Sequence, residues 1–93
     1  MKKAIWNNVV LAKSDNTIEI EGNDYFPPSS LNREYLKEIS DKSTCPWKGT
    51  ASYYDIVVDG KTNSGAAWYY PIPNEKAKEI KDHVAFWKGV EIK

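Results

Sequence analysis

A mainly β domain, a small α+β fold built on antiparallel sheets, is the fold class this sequence predicts. Three observations predict it. Six or more short runs rich in Val, Ile, Tyr, Trp and Thr are separated by turn residues. Asp59-Gly60, flanked by apolar runs, is the strongest two-residue hairpin signal in the chain. The strand–helix alternation that a parallel βαβ sheet requires is missing.

The elements follow in order. Lys2 to Trp6, Asn7-Asn8 and Val9 to Lys13 predict a hairpin, because Asn tolerates the left-handed positions of a tight turn. Ser14-Asp15-Asn16 predicts a turn. Thr17-Ile18-Glu19-Ile20-Glu21 alternates apolar and polar residues as a half-buried strand does, and Gly22-Asn23-Asp24 ends or bulges it before Tyr25-Phe26. Pro27-Pro28-Ser29-Ser30 breaks the chain and offers N-caps for a short helix from Leu31 to about Leu36. Ile39 to Lys42 is ambiguous, and Asp41-Lys42-Ser43 reads as loop. Thr50 to Val58 is the clearest strand. Lys61-Thr62-Asn63 returns after Asp59-Gly60, Ser64-Gly65 turns again, and Ala66 to Tyr70 forms another strand stopped by Pro71-Ile72-Pro73. Asn74 predicts the cap of a helix running to about Asp82, with Ala77, Ile80 and Val84 on its apolar face. Val84 to Trp87 is extended, Lys88-Gly89 turns, and Val90 to Ile92 closes the chain.

The 93 residues are expected to form one domain. A chain this short buries about 60–65% of its unfolded surface, so its core is modest. Four Trp and six Tyr offset that, since each ring brings a large apolar area. Thirteen basic and thirteen acidic residues cancel and are interspersed. That pattern lacks the clustered cations of a nucleic-acid or anionic-membrane partner, and Arg33 is the only arginine. Cys45 stands alone, which excludes an internal disulfide and a paired-cysteine zinc site. No cofactor is expected. With no signal-peptide pattern, the expected compartment is a reducing cytoplasm.

Two clusters stand out. Thr44-Cys45-Pro46-Trp47-Lys48-Gly49-Thr50-Ala51-Ser52-Tyr53-Tyr54 gathers the only cysteine with a lysine, a glycine and three aromatics. Ala66-Ala67-Trp68-Tyr69-Tyr70-Pro71 follows. Together with Gly22-Asn23-Asp24-Tyr25-Phe26-Pro27-Pro28 before them and Val84-Ala85-Phe86-Trp87 after them, in chain order and spacing, they resemble the domain of unknown function 427 family over nearly the whole chain, from about Ala4 to Glu91. The resemblance implies a small, single-domain, often bacterial protein. It also implies a β-tent, Mss4-like arrangement of two small antiparallel sheets pinned together. Other proteins of that architecture carry zinc on paired cysteines, which this chain lacks. The family is sometimes labelled nucleotidyltransferase-like. Metal-dependent nucleotidyl transfer needs converging acids and a phosphate-binding element. No Gly-rich phosphate loop is present, and no Asp-x-Asp or Asp-x-Glu pair sits in a strong context.

The residues themselves nominate a pocket. Tyr25, Cys45, Trp47, Lys48, Tyr53, Trp68 and Tyr70 are its candidate walls. Strand alternation sends Tyr53 and Tyr54 to opposite faces, and Tyr69 and Tyr70 likewise, so one of each pair shares the pocket side. Lys48 would anchor a carboxylate or phosphate, or else lie over Trp47 as a surface lysine. Gly49 would let a ligand approach the backbone closely. Cys45 is either a nucleophile, with His83 as its base, or a buried inert thiol. His83 is either that base or a helix C-terminal histidine, and Glu21 is a candidate base or ligand partner. Three readings follow. One is a binding domain for a small polar or anionic molecule. Another is an enzyme that uses Cys45 and Lys48 in the same pocket. The third is a protein-interaction module with Trp anchors, for which weak self-association stays open.

Overall fold

The computed structural model describes residues 1–93 and is mainly β, as the sequence predicts. Strands β1 (Lys2–Trp6) and β2 (Val9–Ser14) pair antiparallel around Asn7-Asn8, whose φ angles of 50° and 64° are the left-handed pair such a turn demands. Strands β3 (Ile18–Ile20) and β4 (Asn23–Tyr25) form a second hairpin. Four antiparallel strands make the largest sheet. They are β5 (Leu36–Cys45), β6 (Gly49–Val58), β7 (Lys61–Tyr69) and β8 (Val84–Phe86), in the order β5-β6-β7-β8. Strand β9 (Glu91–Ile92) returns to the free side of β1. The sheets number three.

Both faces of the four-stranded sheet are used. Tyr54, Ile56, Val58, Ala67 and Phe86 point to one side, where Ala4, Leu11 and Ala12 of the β1–β2 sheet cover them. Ala51, Tyr53, Trp68 and Ala85 point to the other, where Tyr25, Ala77 and Ile80 pack. The tyrosine pairs divide as the alternation requires: Tyr54 and Tyr69 join the first core, Tyr53 and Tyr70 the second. Tyr25 and Phe26 split in the same way, each fully buried in a different core.

Four expectations are corrected. The helix from Leu31 to Leu36 is absent. Two 3₁₀ turns, Pro28–Ser30 and Arg33–Tyr35, flank an extended Leu31. Asn32 is tethered to β2, donating from its backbone to the Leu11 carbonyl (2.8 Å) and from its amide to that of Val10 (2.7 Å), so the segment cannot wind through it. Asp41-Lys42-Ser43 is strand rather than loop, because β6 supplies partners for Lys42 to Cys45. The weak local propensity shows as an irregular register between Glu38 and Lys42.

The helix from Asn74 to Asp82 is a 3₁₀ segment, Glu75–Ile80, kinked at Ala77. Ala77 and Ile80, three residues apart, suit that tighter period, while Val84 belongs to β8 and the opposite core. Asn74 makes no side-chain cap; its amide donates to the Pro46 carbonyl and its backbone N–H to that of Lys48 (2.9 Å). Ser64-Gly65 is a bulge inside β7, stitched by the Asp55 carboxylate accepting the Gly65 N–H at 2.8 Å.

The segment Pro71-Ile72-Pro73 runs directly past Gly49. Gly49 has a φ of 112°, and a Cβ there would lie 3.2 Å from the Ile72 carbonyl oxygen. Both facts make any side chain there strained. Gly49→Ala is therefore expected to destabilise the fold by about 2 kcal/mol. Urea unfolding would measure it, and an unchanged midpoint would refute the close packing.

Candidate functional site

Tyr53 of β6 and Trp68 of β7 are direct cross-strand partners, so their rings stand side by side on the second face of the large sheet. The β3–β4 hairpin and the 3₁₀ segment Glu75–Ile80 cover only part of this face. The uncovered part is a recess of about 170 Å³ lined by Lys48, Tyr53, Trp68, Tyr70 and Trp87. Trp87 extends the alternation of β8 beyond Ala85 onto the same side. Its indole N–H donates to the Gly65 carbonyl at 2.7 Å, and its ring meets Trp68 edge-on at 5.9 Å.

Lys48 comes from the short β5–β6 connection Pro46-Trp47-Lys48, closed by the Cys45–Gly49 pair. It is a charged residue with only 6% of its surface exposed. Its ammonium donates to the Glu21 carboxylate and lies over the rings of Trp47 (5.4 Å) and Tyr70 (5.7 Å). Glu21 occupies the β3–β4 turn with a φ of 54°, and its second oxygen accepts the Trp47 indole N–H at 3.4 Å.

The electrostatics are consistent with a permanent cation. Burial pushes the Lys48 pKa down, but Glu21 and the phenols of Tyr25 and Tyr70 outweigh it and leave it above 10.5. Hydrogen bonds from Lys48 and Trp47 hold the Glu21 carboxyl below its ordinary 4.5. Burial pushes the Tyr70 hydroxyl up against the opposing pull of Lys48, so it stays a neutral donor.

The structure thus brings Lys48, Tyr53, Trp68 and Tyr70 together as walls. Tyr25 lies behind them, fully buried, its hydroxyl accepting the Trp68 indole N–H at 3.2 Å and its ring edge-on to Trp68. Glu21 and Trp47 touch Lys48 from outside the lining. Cys45 is half-buried, packed against the second core and not part of the lining. His83 lies outside it too, with Nδ1 2.9 Å from the Lys81 carbonyl. Gly49 lies outside the recess and lines a separate hollow with Thr50, Ser52, Ile72 and Asn74. Trp87 is the wall that sequence reasoning missed; the alternation Ala85/Trp87 was the signal that could have found it.

No three His, Cys, Asp or Glu side chains gather as metal ligands. No helix is long and apolar enough to cross a membrane. Fold and site together define a small, mainly β protein with a lysine-floored aromatic recess. The chain belongs to the family described as Domain of unknown function (DUF427), whose model matches residues 2–92. No curated protein matches it.

The ion pair makes stability depend on pH. The lowered Glu21 pKa contributes stability that is present above 4.5 and lost as pH falls from there through the folded value. Thermal melting between pH ~3 and ~7 is expected to show this loss in the native chain and a flatter profile in Glu21→Gln. Identical profiles would mean that the pair contributes nothing.

Proposed function

We propose that this domain binds a small planar molecule carrying an anionic or hydrogen-bond-accepting group, with its ring among Tyr53, Trp68, Tyr70 and Trp87 and its acceptor on Lys48. The observation that carries the reading is Lys48 itself, a cation with 6% exposure at the edge of an aromatic recess. An ammonium has three donors, and Glu21 is its one hydrogen-bonded side-chain partner. A buried cation repels cationic ligands and favours acceptors, and it does so more strongly there than in bulk water. About 170 Å³ suits a single substituted ring rather than a drug-sized molecule.

Cys45 lines no part of the recess, which favours binding over covalent chemistry. An unpaired thiol also fits a cytoplasmic setting. The β-tent architecture enters this reading by resemblance alone.

Intrinsic tryptophan fluorescence tests the reading directly. Benzoate is expected to change the emission saturably, and benzylammonium is not. Lys48→Met should weaken benzoate binding at least about tenfold, the loss of one charge-assisted hydrogen bond. Trp87→Ala, at an exposed position, should weaken it too and guards against misfolding of the lysine variant. Lys81→Met, outside the recess, should not. A native chain indifferent to benzoate would reject the reading.

A further inference from the structure

Beside the recess lies a second hollow of about 240 Å³, which has Tyr53 and Trp87 among its walls as well. Its other walls are of a different kind: Asp41, Lys42, Ser43, Ser64, Gly65 and Lys88. One hollow is lined mainly by aromatic rings; the other brings together a carboxylate, the Lys88 ammonium and hydroxyls.

The shared walls are held from the polar side. The Tyr53 hydroxyl and the Ser43 hydroxyl lie 2.7 Å apart in a hydrogen bond. Trp87 donates to the Gly65 carbonyl within the β7 bulge. Lys88 donates to the Ser64 carbonyl at 2.9 Å and sits 5.1 Å over the Trp87 ring. Trp87 is 47% exposed, yet it is fixed by these contacts rather than folded into the core. An aromatic platform held rigid in water gives up little freedom when a ligand lands on it. Asp41 forms none of the ion pairs of the structure and is free to meet a ligand.

The charge pattern selects among ligands. A phosphate beside Lys88 would also face the Asp41 carboxylate, whose charge cancels that of the one ammonium there. Neutral vicinal hydroxyls meet no such conflict. They donate to Asp41, accept from Lys88 and do both with Ser43, while an aromatic ring takes the C–H face of a sugar.

We infer that the two hollows are subsites of one groove, and that its ligand is a planar ring joined to a sugar. This deepens the reading of the aromatic recess and rests on it. The ring occupies the Lys48 recess, the sugar the Asp41–Lys88 hollow, and the bond between them passes over Tyr53 and Trp87. Nucleosides and aryl glycosides share this chemistry.

Calorimetry on the full chain compares uracil, ribose and uridine, and in parallel phenol, glucose and phenyl glucoside. At least one glycoside is expected to bind about tenfold or more tighter than its own ring, as two added hydrogen bonds would provide. Asp41→Ala, at an exposed strand position, is expected to remove that gain. Uridine alone showing it identifies a nucleoside, and phenyl glucoside alone an aryl glycoside. If the rings bind as tightly as their glycosides, the groove is overturned while the aromatic recess stands. If neither rings nor glycosides bind, this inference is overturned, and the benzoate titration alone decides the recess reading.

Discussion

Alternation within β6 and β7 is the constraint on which the molecule depends. Successive side chains of a strand point to opposite faces, and here each face packs against a core of its own. Each aromatic pair therefore serves two cores at once. On the first face Tyr54 stacks on Tyr69 at 4.9 Å and Phe26 meets Phe86 edge-on at 5.7 Å. The Tyr69 hydroxyl donates to Glu38 at 2.5 Å; burial and that bond hold its pKa far above the ordinary value, so it remains a donor. Between Tyr25 and Phe26 the chain passes from one core to the other, and reciprocal backbone bonds between Phe26 and Val84 (2.8 and 2.9 Å) pin the crossing. The second face has less chain to cover it, and the recess is what remains open.

Lys48 gives that opening its chemistry. A lysine so little exposed loses hydration, and its pairing with Glu21 restores only part of it. An apolar residue of similar length would fill the same place without that loss. The cation instead sets a positive potential beside aromatic walls, and Glu21 ties the β3–β4 turn to the β5–β6 connection that carries Lys48. The site is thus assembled from three connections as well as from the sheet: the Glu21 turn, the Pro46–Lys48 loop and the segment after β8.

Much of this was legible in the sequence where the signal is local. Asn7-Asn8 and Asp59-Gly60 specify hairpins because few other residue pairs accept positive φ in succession, and Asp59 and Gly60 adopt 50° and 76°. Strand β6 announced itself by its β-branched and aromatic run. Lys48, Tyr53, Trp68 and Tyr70 were legible as pocket walls because two dense aromatic clusters had to share a side. Strand β5 was not legible: Ser40 to Thr44 carries little intrinsic preference, and only the partner β6 makes it a strand. The segment after Asn74 was misread because Ala77 and Ile80 fit α and 3₁₀ periods alike.

By itself, then, the sequence determined the β class, the Asn7-Asn8 and Asp59-Gly60 hairpin turns and the division of each neighbouring aromatic pair between two faces. These are properties of single residues and of the two-residue period of a strand. Only the tertiary structure decided that Glu21 would meet Lys48, that Cys45 and His83 would stand outside the recess, and that Trp87 would complete it beside Asp41 and Lys88. Those meetings join residues far apart in the chain. They depend on which segments cover which part of a sheet, and no local pattern carries that information.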